Sequence, residues 1–119
     1  MANLFFSLPS DLAATTTTIF RVIGASSVEG DSANVLGGTY TMASVLGFKI
    51  KLELNSYDYE DQYNYMLSVT EDYATGLRVD DAMEEAMAGI VAQLLSKNLP
   101  LAIAQELSDG LHIYAGAVS

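Results

Sequence analysis

The chain has 119 residues and half of them are apolar, so it is long enough and apolar enough to bury the core of one domain. Fifteen acidic residues stand against five basic ones, and the net charge of −10 disfavours direct binding to nucleic-acid phosphates. The absence of cysteine and the presence of a single histidine exclude disulfides, thiol catalysis and histidine-pair metal sites. We expect one acidic domain over residues 1–119 that holds no cofactor and no metal.

The N-terminal apolar patch Leu4–Phe6 differs from a secretory signal. No Lys or Arg precedes it, and Pro9 and Asp11 interrupt the apolar run. No stretch reaches the ~18 apolar residues of a membrane span. We therefore expect a cytoplasmic protein without a membrane partner.

Residues 10–24 are compatible with two structures. Apolar residues at helical spacing followed by Gly24 are typical of a helix. The threonine run 15–18 and the branched residues Ile19, Val22 and Ile23 favour a strand, because such side chains lose rotamer freedom in a helix. We favour a strand over 16–23, followed by a small, polar loop over 25–38.

The middle of the chain predicts an antiparallel hairpin. The run 39–46 is rich in strand-forming residues, and Gly47 marks a bulge or tight bend after it. Residues 48–54 alternate between apolar and charged side chains, which predicts a strand with one buried face. A similar alternation over 62–69 predicts a second strand that turns Tyr63 and Tyr65 to the core.

The clearest helix runs from about residue 81 to residue 97. Asp80 or Asp81 can cap its start, Asn98 can take a left-handed cap, and Pro100 stops it. A predicted apolar stripe recurs at three- and four-residue spacings: Met83, Met87, Ile90, Val91, Leu94 and Leu95.

The C-terminal segment predicts a hairpin around Asp109-Gly110 with a strand over 111–115. Residues 101–107 fit either a strand or a short helix. Together these elements predict an α+β fold: a single two-layer domain in which a mostly antiparallel sheet packs on one main amphipathic helix, residues 81–97.

The negative charge is concentrated in one part of the sequence. Between Glu53 and Glu85 there are ten acidic residues and one basic residue, Arg78, so this segment carries −9 of the net −10. A concentrated field of one sign speeds association with an oppositely charged protein. A solvated face is the simpler interpretation of this charge, and the sequence is compatible with both interpretations.

Four of the seven tyrosines fall within residues 57–65, interleaved with acids. Tyrosine is enriched at binding surfaces because it covers a large area at low entropic cost. We predict that the partner-binding residues are Tyr57, Asp58, Tyr59, Glu60, Asp61, Glu71 and Asp72. The alternative is that the rings only cover the edge of the core.

Catalytic and metal-binding patterns are weak. The spacing of Asp58, Glu60 and Asp61 lacks the glycine and distal Glu of an EF-hand. Adjacent carboxylates on a helix point in different directions, and the first-turn position of Asp81 is explained by capping. A lone His112 in a strand is usually a surface residue. We expect no catalytic residue and no enzyme activity.

The function expected from these features is that of a non-catalytic protein-binding inhibitor of the immunity-protein or phage anti-defence type. Its acidic surface would dock onto a basic partner, such as a nuclease or another nucleic-acid-binding protein.

Two alternatives belong to other functional classes. The first is a homo-oligomeric structural or assembly protein that associates through Phe5, Phe6 and the run 99–104. The second is a small ligand-binding domain, in which the following residues would converge on a pocket: Tyr40, Tyr63, Tyr65, Arg21, Arg78 and His112.

Overall fold

A computed structural model describes residues 1–116 as one seven-stranded antiparallel sheet with both long helices on the same face. The predicted α+β fold is confirmed, and residues 117–119 of the expected domain lie outside the described part. The elements are β1 (Ala2–Phe6), α1 (Leu12–Ile23), β2 (Val28–Asp31), β3 (Thr39–Val45), β4 (Phe48–Leu54), β5 (Tyr65–Glu71), a 3-10 turn (Tyr73–Thr75), α2 (Asp81–Asn98), β6 (Ile103–Leu107) and β7 (Gly110–Tyr114).

The strand order is β2-β3-β4-β5-β1-β6-β7, so β1 lies inside the sheet. Phe5 and Phe6 are 1 % and 0 % exposed, because Phe6 packs in the core under the helices and Phe5 is covered by Tyr59 and Tyr63 on the other sheet face. The oligomer patch predicted at Phe5 and Phe6 is therefore wrong: both rings belong to the core.

The predicted strand over 16–23 is also wrong, because these residues form α1. Asp11 caps the helix by accepting a hydrogen bond from the Ala14 N–H, and Gly24 ends it in the left-handed conformation at φ 78°. Thr17 and Thr18 donate their hydroxyls to the carbonyls four residues earlier. The hydroxyls of Thr17 and Thr18 are thus satisfied within the helix, and tertiary packing of Ile19 and Phe20 outweighs the strand preference of the segment.

The predicted strands of the middle segment are confirmed at β3, β4 and β5, with the tight bend at Leu46-Gly47. Two details differ. Residues 28–31, expected to be loop, form the exposed edge strand β2, where the Tyr40 ring covers Gly30 so closely that a Cβ there would lie 2.5 Å from Cζ. Tyr63 precedes β5 and packs on the sheet face opposite the helices, against Phe5, whereas Tyr65 enters the main core as predicted.

The helix predicted near residues 81–97 is confirmed as α2, with Asp80 as its N-cap. Its C-terminal cap is the extended residue Leu99, and the Asn98 side chain donates to the Leu94 carbonyl instead of adopting the left-handed cap. Half of the predicted apolar stripe faces the sheet (Met87, Val91 and Leu95), and half is exposed (Met83, Ile90 and Leu94).

At the C-terminal side, the strand alternative for residues 101–107 is confirmed by the β6–β7 hairpin. Within residues 1–116, no helix combines the length and apolar character that crossing a membrane requires.

Candidate functional site

The predicted Tyr and acid loop projects from one end of the sheet. Leu54 at the end of β4, Tyr65 at the start of β5 and Phe6 at the end of β1 are in register, and residues 55–64 connect the first two of them. Asp31 belongs to the same end, because it lies opposite the first residue of β3. We define the acidic end as the six exposed acids gathered here: Asp11, Glu29, Asp31, Asp58, Glu60 and Asp61.

A buried asparagine gives the 55–64 loop a fixed shape. The Asn55 side chain is 4 % exposed, and its Nδ2 donates to the carbonyls of Asp58 and Tyr63 at 3.0 Å each. Its Oδ1 accepts from the Tyr57 N–H at 3.0 Å. One side chain therefore satisfies three backbone groups across the loop, as an Asx-type turn does on a smaller scale.

The three tyrosines of the loop have different environments. Tyr59 adopts a left-handed backbone conformation at φ 62°, and its ring stands edge-on to Phe5 with centroids 5.5 Å apart. Tyr63 packs on the same Phe5 ring at 6.3 Å. Tyr57 is 55 % exposed, so its ring lies open to solvent.

The acids of this end are electrostatically unpaired. Across residues 1–116, no basic nitrogen lies within 4.0 Å of any carboxylate of the acidic end. Solvent and dissolved ions screen their mutual repulsion.

A cavity of about 620 Å³ adjoins the loop. It opens between the first turn of α1, β2, β3 and the end of β4, and Leu12, Leu36 and Leu54 give it apolar walls. Two acids of the acidic end, Asp11 and Glu29, also line it.

Hydroxyl groups add to the polar part of the cavity wall. Thr16 and Thr41 both line it, and their hydroxyls are hydrogen-bonded to each other at 3.1 Å. The cavity therefore combines an apolar surface with carboxylates, a combination that suits an aliphatic group carrying a positive charge. Sequence reasoning missed this cavity because its lining comes from four separate segments with no local pattern in common.

Two of the predicted partner-binding residues lie at the other end of the sheet. Glu71 ends β5 opposite Phe48, and its Oε1 accepts from the Val79 N–H at 3.2 Å. Asp72 is 5 % exposed, accepts from the Ser44 hydroxyl, and caps the 3-10 turn through the Ala74 N–H. The structure therefore keeps the five loop residues together and separates Glu71 and Asp72 from them.

These contacts change the acidity of Asp72. The hydrogen bond from Ser44, followed by that from the Ala74 N–H, lowers the pKa of the carboxyl below its ordinary value of 3.8, because both bonds favour the charged form.

Not every acid of the 53–85 segment contributes to the surface field. Glu53 is 3 % exposed on the sheet face opposite the helices, where Lys51 Nζ approaches its carboxylate at 3.8 Å and also lies over the Tyr40 ring. Glu84 is 6 % exposed and is hydrogen-bonded within the fold. The exposed charge of this segment is therefore smaller than the sequence count indicates.

The residues expected to form a ligand pocket do not converge. The Tyr65 hydroxyl is inside, bonded to the Ser10 carbonyl, whereas Tyr40 stacks under Lys51 on the opposite sheet face. His112 packs edge-on against Tyr114 on β7, and Arg21 is exposed at the end of α1. Within residues 1–116, no three His, Asp or Glu side chains are grouped so that they could hold a metal ion.

Comparisons of the whole chain supply no relative from which a role could be transferred. No family model, no curated protein and no solved structure matches it.

Proposed function

We propose that this protein is a non-catalytic binding protein of the inhibitor type, and that its acidic end docks onto a basic protein. One observation carries the proposal: six exposed, unpaired carboxylates gather at one end of the sheet, beside an exposed tyrosine and an apolar cavity.

The parts of this end have complementary roles in binding. The carboxylates steer a basic surface into the encounter, which raises the association rate and makes it sensitive to salt. Tyr57 supplies the aromatic contact that becomes buried in the complex, and its loop is already ordered by Asn55, so little entropy is lost on docking. The cavity accepts an apolar side chain or the alkyl stem of a Lys or Arg.

The partner class follows from this chemistry. Nucleases and other nucleic-acid-binding proteins carry basic clefts, and an acidic end of this kind competes with the phosphate backbone for such a cleft. Immunity proteins and phage anti-defence proteins act by this type of blockade. The proposal places the protein in the cytoplasm together with its target.

The test is binding of the purified protein to a panel of basic nucleases, and to basic proteins of similar charge without nuclease activity, at ~0.05 M and ~0.15 M salt. The variant carries Tyr57→Ala, Asp58→Asn, Glu60→Gln and Asp61→Asn. We expect one nuclease to be retained and inhibited at the higher salt by the natural chain, and to be released by the variant.

A matched control removes the same charge elsewhere. Asp81→Asn, Glu85→Gln and Asp109→Asn neutralise three exposed acids at the start of α2 and in the β6–β7 turn. The control should bind as the natural chain does. Equal loss in both variants, or capture of every basic protein alike that vanishes at the higher salt, contradicts the proposal.

A small-ligand-binding domain is the second candidate, and the cavity of about 620 Å³ favours it. Its test is an NMR titration with linear alkyl diamines. Saturable shifts of the amide signals of Thr16 and Leu54, without shifts at Tyr57–Asp61, would favour this candidate over protein docking.

A further inference from the structure

Helix α2 is apolar on its solvent side as well as on its buried side. Met83, Ile90 and Leu94 are 44 %, 53 % and 41 % exposed, and Ala86 is exposed between them. Positions 83, 86, 90 and 94 recur at three- and four-residue spacings, so they form one continuous stripe along the helix. We call this surface the α2 stripe.

The residues of the α2 stripe are not used for packing of α2 on the sheet. The face of α2 that packs on the sheet is already complete, with Ala88, Ala92 and Leu95 at 0 % exposure. A helix at the surface of a globular domain normally presents polar residues to water. An ordered apolar row on the free face is the pattern that helix-to-helix association uses.

The charges around the stripe indicate which partner fits. The exposed charged residues at the N-terminal end of α2 are acidic (Asp80, Asp81 and Glu85), and Lys97 is the basic residue of its last turn. Two such helices laid antiparallel place the lysine of each copy near the acids of the other. Their helix dipoles then also run in opposite directions, which is the favourable arrangement.

We propose that the α2 stripe binds a second copy of this chain, forming a two-fold symmetric dimer with antiparallel α2 helices that cross at Ile90. In this arrangement Leu94 of one copy lies against Ala86 of the other. The stem of Lys97 covers Met83, and its ammonium group reaches Asp81. The proposal is independent of the acidic end, because none of the stripe residues belongs to it.

The first test is the mass in solution over a wide range of concentration, by analytical ultracentrifugation of the full chain. We expect a monomer–dimer equilibrium. Ile90→Glu should raise the dimer dissociation constant at least about tenfold, because a carboxylate would be buried at the crossing point without a partner. Ile113→Glu is the matched control, since Ile113 is 51 % exposed on β7 and should leave the equilibrium unchanged.

The second test uses the absence of cysteine from the chain. A residue on a two-fold axis meets its own copy, so Ile90→Cys should form a covalent dimer under mild oxidation. Ile113→Cys should remain monomeric under the same conditions.

A charge exchange tests the orientation. Lys97→Glu should weaken the dimer, and adding Asp81→Lys should restore it, because the exchanged pair still carries opposite charges. A chain that stays monomeric at every concentration overturns the proposal. So does a dimer that is unaffected by Ile90→Glu, or one in which both cysteine variants cross-link equally.

Discussion

The carboxylate of Glu84 on α2 accepts a hydrogen bond from the backbone N–H of Glu71 at the end of β5, at 2.7 Å. Its other oxygen lies 2.7 Å from the amino group of Met1, and the side chain is buried. Glu71 and Glu84, which the charge pattern assigns to one acidic surface, are thus hydrogen-bonded to each other. This contact holds α2 against the sheet.

Replacing Glu84 should therefore destabilise the fold rather than alter a binding surface. We expect Glu84→Gln to lower the free energy of unfolding by about 1–3 kcal/mol, because charge-assisted hydrogen bonds in a buried site are lost. Urea denaturation measures the loss. Glu85→Gln, at an exposed neighbouring position, should change it by less than about 0.5 kcal/mol. An equal effect of both substitutions would show that the buried contacts do not matter.

Substitutions of the two loop residues Tyr59 and Tyr57 should have different effects, the first on stability and the second on partner binding. Tyr59→Ala removes the ring that stands edge-on to Phe5, and we expect a loss of about 1–2 kcal/mol in the free energy of unfolding. Tyr57→Ala, at the exposed ring, should cost under about 0.5 kcal/mol and weaken partner binding instead. If Tyr57→Ala destabilised the chain as much as Tyr59→Ala, the division of roles between the two rings would be wrong.

The β3–β4 turn offers a stabilising substitution. Leu46 is 80 % exposed and adopts φ 52°, followed by Gly47 at φ 85°, which is the two-residue turn that favours Asn-Gly. Leu46→Asn should raise the free energy of unfolding by about 0.5–1 kcal/mol, measured by urea or thermal denaturation. Leu46→Ala is the control, because it removes the same exposed side chain but does not favour the left-handed backbone conformation. It should give no comparable increase in the free energy of unfolding.

Substitution of the glycine in the same turn should have the opposite effect on stability. A Cβ on Gly47 would lie 2.8 Å from Leu77 Cδ1 and would also occupy the left-handed conformation. Gly47→Ala should therefore destabilise the chain by more than about 1 kcal/mol. A neutral result would show that Leu77 moves aside without cost.

Protonation of the Asp72 carboxylate should lower the stability of the fold in acid. Because the pKa of Asp72 is lower in the folded chain than the ordinary value of 3.8, the folded state binds fewer protons than the unfolded state near that pH. Its contribution is fully present above the unfolded pKa and is lost as the pH falls through the folded pKa. Asp72→Asn should thus be less stable than the natural chain at neutral pH, and the difference should shrink below about pH 4.

Urea denaturation at several pH values between 3 and 7 checks this expectation. Ser44→Ala should reproduce part of the effect, since the Ser44 hydroxyl is the largest cause of the lowered pKa. A difference between Asp72→Asn and the natural chain that stays constant over this range would contradict it.

Alternation of apolar and polar residues was enough to predict β4 and β5, strand-forming composition predicted β3, and helical spacing with clear end signals predicted α2. The pattern failed at α1, where the apolar spacing and Gly24 indicated a helix while Thr15–Thr18 favoured a strand. It failed at β2 as well, since an exposed four-residue edge strand has no apolar alternation to detect.

The candidate site was predictable only where it is local in sequence. The five loop residues 57–61 are contiguous, so composition alone was enough to predict them as one group. Glu71 and Asp72 are near them in sequence but at the other end of β5 in space, which a seven-residue strand makes unavoidable. Glu29 joined the site through the sheet register and Asp11 through the position of the first turn of α1, and no local pattern carries that information.

The position of β1 has a consequence for biosynthesis. Leu4 lies opposite Leu67 on one side and opposite Gln105 on the other, so the two edges of β1 are paired only after residues far along the chain from it have been synthesised. Pairing across such long separations is slow, because large loops must close before contacts compensate for the lost entropy. In residues 1–116, β1 is also the strand that joins β2–β5 to β6–β7. The sheet is therefore complete only after β6 and β7 have been synthesised, and deleting β1 would divide the sheet in two instead of trimming its edge.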